Sequence, residues 1–414
     1  MLTTRRDFIR QLTAAGVVSI APAPPVFLRR AAQAAEQQGD QSTAERILVL
    51  VELAGGNDGL NTVIPYGDEQ YYKLRPGLSI SRGEVLKIDD HVGLHPRMTG
   101  LKELYDESRL AIVQGIGYPR PNRSHFKSMD IWHSGRTETE DQDVGWLGRA
   151  LDRDTSQHVG KVPALALGTE KVPLALVGAK VNVPLVGNLD EYRLNSGGGP
   201  HRNRSLRRKL IGELARGSAP AGSELDFLKR TATAAFTSAR RLEEISAAYT
   251  PAAPYPEWGI AQRLKTVAQI IAGDLSTRIF FVSLGGFDTH SRQRNVHAFL
   301  LEQVSSAIRA FYLDLKGHGL DDRVVLATYS EFGRRAAENG SLGTDHGAAS
   351  QMLIVTPTGK GGVYGKHPSL SDLFQGDLKF HTDFRSVYAT LLERWLGCPS
   401  EPVLGGRFAP LEFV

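Results

Sequence analysis

Short, unbroken apolar runs punctuate this chain, and each gives way to glycine or polar residues. Residues 47–53, 110–114, 279–284, 324–328 and 352–356 are the clearest. A run that is apolar at every position, not every second one, predicts a strand buried on both faces, as in a parallel sheet. Between the runs, apolar residues recur at helical spacing, and Leu300, Val304, Ala307, Ile308, Phe311 and Leu315 form one stripe. Residues 260–271 and 384–396 behave alike, the second stopped by Gly397 with Pro399 beyond it. Strands alternating with helices predict an α/β fold: a mostly parallel central sheet with helices on both faces.

From about 150 to 257 the pattern changes. The apolar runs shorten (163–167, 172–177, 181–186), and a glycine run at 197–199 and a basic tract from Arg202 to Lys209 follow. A helical pattern over 224–249 leads into the proline-rich 251–256. This stretch predicts an insertion or cap over the sheet, within one domain spanning 46–414, and there are no internal repeats. The basic tract fits a solvated helix face better than a substrate clamp.

The start of the chain has a different logic. Thr3-Thr4-Arg5-Arg6-Asp7-Phe8-Ile9-Arg10 precedes an apolar stretch and then Ala32-Gln33-Ala34. Charged region, apolar core and small-x-small end are the layout of a removable signal, and the paired arginines point to the twin-arginine route. Pro22, Pro24 and Pro25 interrupt the apolar stretch, which falls short of the ~20 residues of a membrane span. No later segment approaches that length. Residues 1–34 are thus expected to direct export to the periplasm or cell envelope by the twin-arginine machinery, and the polar residues 35–45 to act as a tether.

Removal of that segment changes the electrostatics. It holds five arginines against Asp7 alone, and the whole chain carries a formal charge of +4, so the remainder is near neutral. The sequence pI of about 9.0 therefore gives no support for a nucleic-acid partner. Cys398 is the one cysteine, which excludes an intrachain disulfide or a cysteine metal cluster.

Candidate chemistry gathers just past the strand ends. Gly55-Gly56-Asn57-Asp58-Gly59 follows the first run, and a loop ending Asn122-Arg123-Ser124-His125-Phe126 the second. Gly285-Gly286-Phe287-Asp288-Thr289-His290 and Tyr329-Ser330-Glu331-Phe332-Gly333-Arg334 follow the next two. Open parallel sheets place their sites at the carboxyl ends of strands, so four sequence-distant loops are expected to meet. Asp58, Asp288, His290, Glu331, Asp345 and His346 offer oxygen and imidazole donors without thiolate, a mixture suited to Zn²⁺, Mn²⁺ or a similar divalent ion, one or two in number. Carboxylates brought together would repel without such a cation.

Each cluster also has a structural reading. Asn57-Asp58-Gly59 suits a tight turn, Asp288-Thr289-His290 a helix cap, and Asp345-His346-Gly347 a surface turn, while Glu331 could pair with Arg334 or Arg335. His95, beside Pro96, reads as a packing or capping residue. A Gly-x-Ser-x-Gly elbow and a phosphate-binding Gly-x-x-x-x-Gly-Lys-Ser/Thr loop are absent. After Gly115-Ile116-Gly117, Arg120 stands where a dinucleotide fingerprint needs its third glycine.

Leu53–Asn61, Asn122–Phe126, Phe287–His290, Ser330–Arg334 and Asp345–Gly347 together resemble the DUF1501 family of exported bacterial proteins, over nearly the whole chain beyond the signal. Through that family the chain resembles the alkaline phosphatase-like and sulfatase-like hydrolases, which hold one or two metals at one edge of a mostly parallel sheet. The resemblance implies metal ligands at Asp58, Asp288, His290 and His346 and a nucleophile at Ser124. It departs at Glu331-Phe332, where the wider pattern has Asp-His; phenylalanine cannot ligate, so a second site would need Asp345 or be lost.

The expectation is therefore an exported metal-dependent hydrolase acting on a small-molecule or polymeric phosphate or sulfate ester. Ser124 would attack, and Arg123, His125 or Arg334 would bind an anionic oxygen or protonate the leaving group. The alternative is a non-catalytic exported binding or assembly protein with a degenerate site.

Overall fold

The computed structural model describes residues 46–138, 142–153, 163–181, 183, 185–186, 249–274, 277–357 and 359–414. The signal, the tether, the glycine run, the basic tract and nearly all of the 224–249 helical pattern lie outside the described residues.

Among the described residues, the apolar runs form strands of one nine-stranded sheet. In chain order these are β1 (Ile47–Leu53), β2 (Leu110–Gly117), β3 (Ala164–Leu167), β4 (Leu185–Val186), β5 (Ile279–Leu284), β6 (Val324–Tyr329), β7 (Ser350–Val355), β8 (Gly362–Tyr364) and β9 (Thr382–Asp383). The spatial order is β8-β2-β7-β6-β1-β5-β3-β4, with β9 also on β2. β1 lies between β5 and β6 and parallel to both. β3, β4, β8 and β9 also pair in parallel. β7 is the exception, antiparallel to both β2 and β6; its apolar run does not reveal that direction, because either kind of central strand is buried on both faces.

Two apolar runs of the stretch expected to cap the sheet are strands within it: β3 extends β5, and β4 extends β3. Val172–Val177, by contrast, contains only the 3-10 turn Leu174–Leu176.

The apolar character of β1, broken only at the buried Glu52, serves two cores. Ile47, Val49, Val51 and Leu53 face one, packed with α1 (Thr99–Asp106), α4 (Gly259–Ala272) and α5 (Gln293–Gly317). Leu48 and Leu50 face the other, packed with α2 (His125–Ser134), α3 (Trp146–Arg153) and α6 (Phe384–Thr390). Helices on both faces are thus built from the alternate sides of single strands. The stripe of α5 extends further toward its N-terminus than its periodicity suggested. The 384–396 helix changes to a π-helical turn over Leu391–Leu396 before Gly397 ends it in the left-handed region.

Because β1, β2, β5 and β6 run in one sense, their carboxyl ends share an edge, and β7 begins there. The four polar loops converge on that edge. No described helix is long and apolar enough to cross a membrane.

Candidate metal centre

The loop after β1 comes first, since the others rest on it. Gly55 and Gly56 take φ of +122° and +78°. A Cβ on Gly55 would stand 2.4 Å from the Asp288 nitrogen, and one on Gly56 2.2 Å from the Phe332 ring. The glycines thus let this loop pass directly beneath the loops after β5 and β6. Gly55→Ala would combine positive φ with a backbone clash, and a loss of more than about 1 kcal/mol is expected. Urea unfolding of the variant would measure it; an unchanged midpoint would show that the loops do not need this close approach.

Asp58 is not at the site edge. Its carboxylate is fully buried, 2.6 Å from the equally buried Arg75 guanidinium, and it accepts from Gln293 Nε2. Burial pushes its pKa up, but the charge and hydrogen bond of Arg75 outweigh burial and hold the net value low. A carboxylate neutralised this way needs no cation, which corrects the expectation of a metal ligand at Asp58.

Asp288, after β5, stands at the centre of the exposed cluster. His290 Nε2 lies 3.0 Å from its Oδ1, His346 Nε2 3.1 Å from the same oxygen, and His125 Nε2 3.5 Å from Oδ2. Arg334 Nη2 donates to Oδ1 at 2.8 Å. Burial disfavours the charged carboxylate, but the Arg334 and His346 hydrogen bonds and the Arg334 charge prevail and hold its pKa at about 2. One ligand atom each from His125, Asp288 and His346 lie within 4.8 Å of one another, close enough to share one ion.

The three imidazoles are oriented alike. Nδ1 of His125 faces Glu331 Oε1 at 2.8 Å, Nδ1 of His346 faces the Arg123 carbonyl at 2.8 Å, and Nδ1 of His290 faces Asp345 Oδ1 at 3.4 Å. A carbonyl or carboxylate can only accept, so each Nδ1 carries a proton, and Nε2, which faces Asp288, is the atom left to offer its lone pair to a cation. His290 Nε2 and His346 Nε2 consequently meet at 2.9 Å. Two lone pairs at that distance repel unless a cation or a shared proton lies between them.

Glu331 is buried behind His125 and also accepts from the Gly55 nitrogen at 2.9 Å. It therefore orients a histidine; it neither faces the cluster nor pairs with Arg334 or Arg335. Its hydrogen bond raises the His125 pKa against the opposing effect of burial. Asp345 supports His290 and takes a hydrogen bond from Asn339 at 3.1 Å. That Asn339 bond, with His290, lowers its pKa. Phe332 cannot ligate, yet its ring packs on His125 and His346, with centroids 4.9 and 4.6 Å away. His125, expected from its sequence to bind an anion or transfer a proton, instead joins Asp288 and His346 in this cluster.

The expected anion binders are committed elsewhere. The Arg123 guanidinium pairs with the buried Asp377. Arg334 is buried and donates to the carbonyls of Gly55, Gly56, Phe287 and Thr344 as well as to Asp288. Ser124 is exposed at the N-cap of α2, extended, and makes no capping bond with its side chain. Its hydroxyl is thus presented beside His125 at a helix N-terminus. His95 is buried and neutral, as its packing role requires: burial takes its pKa down to about 3, and Nδ1 accepts from the Arg97 nitrogen. Arg75, Gln293, Thr289, Thr344 and Asn339 were not legible as site residues; only their nearness in sequence to the motifs hinted at four of them, and nothing pointed to Arg75.

The family model described as "Protein of unknown function (DUF1501)" matches residues 44–396. This chain belongs to the DUF1501 family. No curated protein matches it. Among solved structures, the DUF1501 chain is similar to a protein in the alkaline phosphatase superfamily from Vibrio parahaemolyticus, at 10% identity and a TM-score of 0.40, covering 93% of this chain and 78% of that one. It is also similar to the soluble domain of lipooligosaccharide phosphoethanolamine transferase A from Neisseria meningitidis (10%, 0.37, 86% and 90%). A third is the alkaline phosphatase of the Antarctic bacterium TAB5 (11%, 0.29, 77% and 95%). Likenesses this distant leave the chemistry of the DUF1501 site to its own side chains.

Proposed function

We propose that this protein is an exported metal-dependent hydrolase of phosphate or sulfate esters. The observation that carries the reading is the convergence of three Nε2 atoms on Asp288, with two of them 2.9 Å apart. Three imidazoles and one carboxylate suit Zn²⁺, Mn²⁺ or a similar divalent ion, and the carboxylate or carbonyl behind each imidazole is the usual support of such ligands. When bound, the ion would polarise the ester and lower the charge developing on its oxygens. His125, Asp288 and His346 would hold it, with His290 completing or flanking the set. Ser124, exposed at the N-terminus of α2 with no capping bond from its side chain, would form the new bond to phosphorus or sulfur as the ester oxygen leaves. The arginine-paired signal pattern in residues 1–34 supports action outside the cytoplasm.

Purified protein is expected to retain about one divalent ion per chain by elemental analysis. A phosphatase and sulfatase panel should then find activity that Ser124→Ala abolishes while the metal stays bound. Absence of metal, or turnover indifferent to Ser124→Ala, would sink the reading. In fractionated cells the mature chain should appear outside the cytoplasm and remain inside when Arg5 and Arg6 are both changed to lysine; equal export of that variant would remove the twin-arginine assignment.

One observation favours a second reading. Arg123 and Arg334 are engaged by Asp377 and by backbone carbonyls, so neither expected anion binder is free. A metal-loaded protein without turnover on any ester would support a non-catalytic binding or assembly role.

A further inference from the structure

We propose that the buried amide of Gln293 sets the spacing between the two ligand-bearing loops, and so fixes the affinity and coordination geometry of the site; this rests on the metal reading above. Gln293 is the first residue of α5 and is fully buried. Asp58 can only accept, so the amide Nε2 faces it and Oε1 faces the other way. There Oε1 accepts from two hydroxyls, Thr289 Oγ1 at 3.0 Å and Thr344 Oγ1 at 2.6 Å.

Those threonines are placed to matter. Thr289 lies between Asp288 and His290, and Thr344 directly precedes Asp345 and His346. The Thr344 nitrogen also donates to the Thr289 carbonyl at 3.2 Å. One side chain thus grips both loops, and the two closest Nε2 atoms, on His290 and His346, sit one on each. Their 2.9 Å separation is therefore a property of the clamp as much as of the histidines. Its other end is held still, because Asp58 is paired with Arg75, which also donates to the Ala336 and Arg335 carbonyls at 2.9 Å. Asp58, with its motif, thereby serves the centre from a distance. Gln293, Thr289, Thr344 and Asp58 are positioning residues; none is required to touch the ion.

The test removes the hydroxyls and keeps the shape. Thr289→Val and Thr344→Val, singly and together, are titrated with Zn²⁺ and Co²⁺ beside wild type. Tyr255→Phe, which removes a hydrogen bond to the buried Asp314 away from the site, serves as the stability control. The double variant is expected to bind both ions about 10–100-fold more weakly, as lost ligand supports do, and to change the Co²⁺ visible absorption. Hydrogen exchange in residues 286–291 and 343–347 of metal-free protein should speed up in the same variant. Tyr255→Phe should move the melting temperature and neither site readout, and Thr344→Ser, which restores the hydroxyl, should behave as wild type.

A double variant with a lower melting temperature but unchanged affinity, spectrum and exchange overturns the clamp. Should the double variant not fold, Thr344→Val against Thr344→Ser decides on the same readouts. If wild type binds neither ion, the metal reading fails by itself. Exchange alone then judges the spacing role, acceleration supporting it and no change overturning it.

Discussion

Arg75→Met is expected to remove about 3–5 kcal/mol of stability in urea unfolding, the range found when one partner of a buried ion pair is deleted. The reason is specific to Asp58. Both side chains are fully buried and 2.6 Å apart, so deleting the guanidinium strands a carboxylate without water or a counter-charge. Replacing both residues, as Asp58→Leu with Arg75→Met, should recover most of the loss, since apolar substitutes of similar volume are often neutral. The deficit of the single variant should also narrow on acidification. In wild type the Asp58 pKa is depressed, so its contribution is present above the unfolded carboxyl range and lost as pH falls through the folded value. Without Arg75, burial raises that pKa, and a proton relieves the stranded charge. A double variant no more stable than the single one would show that the pair matters for other reasons.

Asp288→Ala is expected to weaken divalent-ion binding by more than about 100-fold, beyond the 10–100-fold cost of losing a mere ligand support. Among the described residues, Asp288 is the only carboxylate that all three Nε2 atoms approach. Calorimetric titration of metal-free protein with Zn²⁺ would measure the change; retention of wild-type affinity would mean the ion sits elsewhere.

The pH dependence of binding has a definite sign. With its pKa at about 2, Asp288 remains charged across the usual working range and sets no limit. His125 is different, because Glu331 raises its pKa and a proton competes with the ion for Nε2. Affinity should fall on acidification, beginning at higher pH than an ordinary histidine near 6.5 would give. The metal-free protein should show the opposite tendency at this group. Protonated His125 adds stability below the unfolded histidine pKa, and that contribution disappears as pH rises through the raised folded value. Glu331→Gln should move both transitions toward the ordinary value.

The fold was legible where burial alone dictates pattern. Runs such as 47–53 and 279–284 could hardly be anything but doubly buried strands, and their sense followed from the helices between them. The direction of β7 was not, because the apolar core treats both directions alike and only the register of hydrogen bonds tells them apart. The runs that became β3 and β4 were too short to distinguish a strand at the sheet's margin from a cap.

At the site, position in the chain identified the right loops but not the role of each side chain within them. His290 and His346 were expected in the cluster and lie there, whereas His125 was expected only to bind an anion or transfer a proton. Asp58 and Glu331 were assigned to the ion because a carboxylate near a strand end looks the same whether its partner is a metal, an arginine or an imidazole. Their true partners, Arg75 and His125, lie 17 and 206 residues away, and nothing local announces such a pairing.

The reversed direction of β7 has one more consequence. β6 leaves the sheet at Tyr329 and β7 returns at Ser350 into the adjacent place, so the intervening segment has both feet side by side on the site edge. Glu331 and Arg334 lie near one foot and Asp345 and His346 near the other, while Asn339, Gly340 and Ser341 form the far turn. Closing a longer segment between fixed feet costs little, about 0.6 kcal/mol for each doubling. Because Asn339 at that turn donates to Asp345 and to the His290 carbonyl, residues inserted there would reshape what enters from above and shift the ligand supports together, so selectivity and ion affinity would change in step.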